Sequence, residues 1–242
     1  MFDKSLKYSF AAKKRKRHRL LRTLLLLLII FVFYNLITSF LLSAWVLQNN
    51  TMQPSLRAGD RFLVVSTALP SLVADIRGTD LQRFFYRGSI VLIDTDRGRN
   101  QNLFLTAIDG IVRFFTAQQV SIISGEERIF MKRLIALPGD EVSMSDFIMR
   151  VKPSGGMFAL TEFELSERSY VLNIPQTAAL WDASLPFSGN MEPFILGADE
   201  YFVVSDDRSS SGDSRTWGPV PSRYIIGRPV FRFWPLNRMG RP

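Results

Sequence analysis

From Thr23 to Leu47 the chain carries no charged side chain for 25 residues, directly after the basic run KKRKRHR at 13–19. A helix needs about 20 apolar residues to cross the hydrocarbon core of a bilayer, so this stretch implies that whatever follows is tethered to a membrane. Tyr34, Asn35, Thr38 and Ser39 interrupt it with neutral polar groups, and Trp45 stands where an interfacial aromatic belongs. A cleavable export signal has a shorter apolar region, about 7–15 residues, and ends in a small-x-small site. Ala44-Trp45-Val46 is a poor one. The expected division is a basic cytoplasmic tail (1–22), an uncleaved single transmembrane anchor (23–47) and an extracytoplasmic body (48–242).

The net charge of +8 resembles a nucleic-acid footprint until it is located. Residues 1–22 hold nine Lys/Arg against Asp3 alone, which accounts for the whole excess. The other 220 residues carry 21 basic and 21 acidic side chains, so no nucleic-acid partner is expected. Only two lysines, Lys132 and Lys152, lie in that body.

Short apolar runs separated by turn residues characterise the body. RFLVV (61–65), SIVLIDT (89–95), IFMKRLIALPGDEV (129–142), YFVVSDD (201–207) and YIIGRPVFRFWP (224–235) read as strands or strand-containing blocks. VSMSDFIMRV (142–151) reads as the hairpin partner of the strand before it. A loop with a short helix is expected in 66–85, and helical spacing recurs in Leu103–Gln118. Residues 152–200, with several Pro and Gly and no clear period, read as an inserted irregular lobe. The fold class expected is mainly β: an N-terminal transmembrane helix followed by an all-β body.

The only histidine is His18, in the tail, and cysteine is absent. That excludes from the body a Ser-His-Asp triad, a Cys-His pair and an ordinary zinc site; no metal or cofactor is implied. A hydroxyl nucleophile activated by a neutral lysine remains available for acyl chemistry. Lys132 lies in an apolar frame of Phe130, Leu134, Ile135 and Leu137. Such a lysine either snorkels to a solvated edge or is held dry, where desolvation lowers its pKa and makes it a base. Lys152, beside Pro153, reads as a turn residue.

Five blocks carry a family resemblance. NNTMQPSL (49–56), just past the apolar run, resembles the nucleophile segment of type I signal peptidases, usually Ser/Gly-x-Ser-Met-x-Pro-Thr-Leu. RGSIVLI (87–93) is similar to the family's next strand, and MKRLIALPGDEV (131–142) to its general-base strand. SDDRSSSGDSRTWGPVP (205–221) resembles its Gly-Asp-Asn-Arg-x-x-Ser-x-Asp-Ser-Arg block, and IGRPVFRFWPLNRMG (226–240) its C-terminal strand. The blocks follow the family's order.

The resemblance implies a peptidase of the bacterial plasma membrane that removes signal peptides from exported preproteins, its partners being those peptides and the lipid bilayer. It implies Thr51, in the usual Ser position, as nucleophile and Lys132 as general base. Ser211 would orient the lysine, and Asp213 and Arg215 would brace the site as an ion pair. Asn49 and the backbone N–H of Thr51 would form the oxyanion hole, and Met52 would lie near the substrate pocket. Thr51 adds a methyl beside the attacking oxygen, while Ala136, Ser205 and Asp207 replace a usual Gly, Gly and Asn. A catalytically silent or narrow-specificity homologue that binds without cutting is the alternative.

Overall fold

The computed structural model describes residues 10–40, 42–67, 84–95, 129–175 and 189–242. Most of the mixed segment at 66–85 and the whole helical spacing of Leu103–Gln118 lie outside them. Helix α1 (Phe10–Phe40) opens the described chain. Among the described residues no helix is long and apolar enough to cross a membrane. The uncharged run does not stay helical to Leu47. It leaves α1 at Phe40 and becomes strand β1 (Leu42–Val46), paired antiparallel with β2 (Arg61–Ser66) from Leu42↔Val65 to Val46↔Arg61. The boundary at 47 is thus corrected: once β2 offers a ladder, residues 42–46 satisfy their backbone groups in a sheet.

β3 (Ile90–Asp94) and β4 (Ile129–Ala136) follow, both nearly continuous apolar runs, and both are buried on two faces at the centre of a sheet. β9 (Glu200–Val204), β10 (Val220–Pro221) and β11 (Ile225–Trp234) complete it. The order is β1-β2-β11-β3-β4-β9-β10, and every neighbouring pair in it is antiparallel. β11 breaks register with β2 between Pro229 and Phe231, as suits a proline, which lacks a ladder donor.

A second, four-stranded sheet stands beside the first. β5 (Glu141–Ser145) and β6 (Ile148–Lys152) alternate buried and open positions, so each presents one face to a core. They pair with each other across Asp146-Phe147 (Ser145↔Ile148), which corrects the expected pairing of 142–151 with the Lys132 strand. Two half-buried strands gain more by forming a one-sided sheet than by joining β4, whose edges β3 and β9 already occupy. The expected lobe at 152–200 supplies the rest: β7 (Leu160–Thr161), helix α2 (Glu162–Leu165) with a Thr161 capping box, and β8 (Met191–Ile195).

Three buried clusters hold the molecule. Val142, Met149 and Val151 of the small sheet pack on Ile135, Phe202 and Val204. Val91, Leu134, Val203 and Ile225 fill one face of the large sheet. On its other face, Leu47, Met52 and Leu56 pack on Phe62, Ile90, Leu92 and Met131. Burying Met52 and Leu56, 0% and 1% exposed, contributes about 1.5–3 kcal/mol each and fixes the turn between them.

Candidate active site

Residues 48–60 form a closed loop. Leu47 N–H donates to the Asp60 carbonyl (2.9 Å) and Gly59 N–H to that of Leu47 (2.7 Å). The Asp60 carboxylate is held by Arg238 (2.6 Å) and Arg232 (3.3 Å). Inside it, Asn50 accepts from Gln53 N–H and Met52 from Leu56 N–H. Met52 is the buried foot of this turn and Thr51 its half-exposed crest.

β4 brings the base. Lys132 is paired with Val91 across the β3 ladder and is 0% exposed, although it sits in a strand of apolar side chains. Its Nζ lies 3.3 Å from Thr51 Oγ1 and 2.8 Å from Ser205 Oγ. The Phe130 and Trp217 rings close over it at 5.8 Å. Burial pushes the amine down from 10.5 to about 8; the charge of Asp213 opposes that shift and the charge of Arg215 adds to it. No carboxylate touches the amine among the described residues.

The expected lysine partner, Ser211, lies elsewhere. Its side chain is exposed, and its carbonyl accepts from the Thr216 hydroxyl. The place against Lys132 belongs to Ser205. β4 and β9 pair Leu134 with Val203 and Arg133 with Val204, so one further step sets Ser205 opposite Lys132 on the same face. Register is a tertiary property that no local motif records. The one available signal is the alternation of β4 and β9, which places 132 and 205 at matching ends once the pairing is known.

Asp213 and Arg215 form the expected ion pair. Arg215 reaches Asp213 through Nε (2.9 Å) and a terminal nitrogen (2.8 Å), and also holds the carbonyls of Arg208 and Ser210. The Asp213 carboxylate accepts from the backbone N–H of Ser205 (2.9 Å) and caps helix α3 (Ser214–Trp217). Burial favours its neutral form, but the Arg215 bonds outweigh this and lower its pKa. The pair therefore positions Ser205, and through it the lysine.

Asn49 is turned on Thr51. Its Oδ1 accepts from Thr51 Oγ1 (2.9 Å) and, at a long 3.4 Å, from Thr51 N–H. The two donors expected for an oxyanion are thus not both free in this state. Asp207 N–H donates to the Thr51 carbonyl (3.0 Å), tying the Thr51 turn to the 205–213 loop.

Sequence reasoning missed a second network on the opposite face of β4. Arg133 grips Asp206 through two 2.6 Å bonds, donates to the Gly88 carbonyl and stacks on Tyr170, 3.7 Å from the ring centre. Tyr170 donates to Glu162 (2.6 Å), which also pairs with Arg208 and accepts from Met149 N–H. Gly88 has φ +83°, and a Cβ there would meet the Ser166 side chain, so only glycine fits.

A family model described as signal peptidase, peptidase S26, matches residues 20–234. Signal peptidase I from Leptolyngbya laminosa is 36% identical over 46% of this chain and 44% of its own length. The chain therefore matches less than half of that relative. Signal peptidase I from Bacillus licheniformis is 27% identical over 84% of this chain and 83% of its own. Signal peptidase I P from Bacillus subtilis subsp. natto is 26% identical over 99% and 98%. With a family model spanning nearly all of its described body, the chain belongs to the signal peptidase family, peptidase S26.

Proposed function

We propose that the chain is a membrane-anchored endopeptidase that removes signal peptides from exported preproteins at the outer face of the plasma membrane. The observation that carries this reading is a hydroxyl 3.3 Å from a buried lysine whose pKa is lowered to about 8. At pH 7 about a tenth of such an amine is neutral, enough to act as a base.

In this reading Thr51 Oγ1 attacks the scissile carbonyl carbon while Lys132 Nζ takes its proton. The carbonyl oxygen becomes the oxyanion. It displaces the long Thr51 N–H contact to Asn49, and the Asn49 amide turns Nδ2 toward it. Lys132 then returns the proton to the leaving amine, and Thr51 remains as an ester. Water, deprotonated by the same lysine, hydrolyses that ester and restores the hydroxyl.

A pocket of about 20 Å³ lined by Trp45, Leu47, Leu92, Ile129 and Met131 fits only a small side chain. Met52 does not line it but packs behind Leu47, Leu92 and Met131. The anchor is supported by α1: its Leu and Ile side chains from 20 to 30 are 50% or more exposed, an apolar surface that the described residues leave uncovered. The basic tail would stay in the cytoplasm.

The test is cleavage of a preprotein by the purified full chain in detergent. Cleavage by the parent, abolished in Thr51→Ala, is expected; undiminished cleavage by Thr51→Ala would refute Thr51 as nucleophile. One observation favours the silent-homologue alternative: the Thr51 hydroxyl lies nearer to Asn49 Oδ1 (2.9 Å) than to the lysine (3.3 Å). An inert parent made active by Thr51→Ser would establish that reading instead.

A further inference from the structure

Behind the nucleophile turn, on the Arg133 side of β4, lies a cavity of about 420 Å³. Its wall brings together Arg133, Arg168, Arg228, Arg232 and Arg241 with the hydroxyls of serines and tyrosines, and among the described residues no acidic side chain lines it. Arg133 and Arg232 are neutralised by Asp206 and Asp60. Among the described residues Arg168, Arg228 and Arg241 make no ion pair.

Arg228 is the most telling of these. Its guanidinium is packed against the Phe84 and Tyr86 rings, 5.0 Å from each centre, and its Nε is buried with no hydrogen-bond partner among the described residues. A buried donor without an acceptor is costly, and a cluster of unpaired guanidinium groups repels itself. Both costs fall if an anion with several acceptor oxygens enters. Arginine forks match the geometry of phosphate oxygens, and the hydroxyls of Ser55, Ser169 and Tyr86 supply further donors.

We propose that this cavity binds a phosphate group, and that the phosphate belongs to an anionic lipid headgroup. The lipid source follows from the sheet. Leu42 pairs with Val65 and Val65 with Arg228, so Arg228 lies in one cross-strand row with the first residue of β1. Two strand spacings make that roughly 10 Å. α1 ends at Phe40, just before that row begins. If α1 crosses the bilayer, the cavity sits at headgroup depth, so the lipid half of this inference rests on the anchored reading; the phosphate half does not.

The full chain in neutral detergent micelles would be titrated calorimetrically with dihexanoyl phosphatidylglycerol, dihexanoyl phosphatidylcholine and sodium phosphate. The anionic lipid is expected to bind at least about tenfold more tightly than the zwitterionic one, with sodium phosphate competing for its site. Arg168→Gln with Arg228→Gln should weaken anionic-lipid binding at least about tenfold, since hydrogen bonds to charged groups are the strong ones. Arg223→Gln, outside the cavity, should leave binding unchanged. Arg168 is exposed at the rim, so Arg168→Gln alone keeps the fold and should shift binding in the same direction. Equal binding by the parent and both cavity variants would overturn the site. Sodium phosphate binding as tightly as the anionic lipid would keep the site and overturn its lipid source. Because binding is read without cleavage, an inactive peptidase gives the same titration, and failure here stays distinct from failure of the proposed reaction.

Discussion

Lys132 and Arg133 are neighbours on one strand, both buried, and they point to opposite faces with opposite surroundings. Arg133 has a bidentate carboxylate, a carbonyl and an aromatic ring around it. Lys132 has two hydroxyls and two distant rings, and its nearest carboxylates act only through space. The first environment keeps a cation charged; the second lets a cation lose its proton. A guanidinium cannot be neutralised at any working pH, so arginine suits the brace, whereas an amine can be tuned and so suits the chemistry. The strand places a structural charge and a chemical one side by side and keeps them apart by its pleat.

The largest expected effect comes from removing the tuned cation. Lys132→Met should fold yet lose preprotein cleavage by at least about 10³-fold, and Lys132→Arg should lose as much because its charge is permanent. Steady-state cleavage with circular dichroism as the folding control measures both. Activity retained in the arginine variant would erase the contrast between the two residues.

Arg133→Met should act in the other way. It leaves Asp206 buried without a partner, which costs about 3–5 kcal/mol and lowers the thermal midpoint by roughly 10 °C. Thermal unfolding of the variant tests this. An unchanged midpoint would mean that the brace is not one.

Next comes the hydroxyl beside the lysine. Ser205→Ala should lower kcat about 10–100-fold, the worth of a hydrogen bond to a buried charged group, while Ser211→Ala should stay within about twofold. The reverse ranking would restore Ser211 as the positioning residue and contradict the register of β4 and β9.

The gentlest probe is pH. In the proposed reaction the working form of Lys132 is the neutral amine, whose fraction grows as pH rises toward its pKa of about 8. Cleavage should therefore climb about tenfold per pH unit below that value and flatten above it. Because the charge of Asp206 holds the lysine's pKa up, Asp206→Asn should move the midpoint downward. A profile flat from pH 6 to 9 would show that the lysine does not limit the reaction.

Much of the strand content was legible: the blocks at 61–65, 89–95, 129–142, 201–207 and 224–235 each supplied a strand because period and turn residues are local properties. Thr51 and Lys132 could be picked out before any coordinates, one by its segment and the other as a lone amine in an apolar frame. Three readings failed for one reason, that each depended on a partner. The end of the apolar run went to β2, the 142–151 hairpin closed on itself, and Ser205 took the place expected for Ser211.

What the amino-acid order determined by itself was therefore chemical type and local form: an uncharged run behind a basic tail, a body without histidine or cysteine, strands with their turns, and one lysine in an apolar setting. Only the tertiary structure decided which hydroxyl that lysine touches, which carboxylate braces its neighbour and which arginines face a cavity with no ion pair among the described residues. The division has a physical cause. Burial tendency and turn chemistry are carried by each residue and its near neighbours, whereas a hydrogen bond between residues 73 positions apart exists only once strand register has set their faces together.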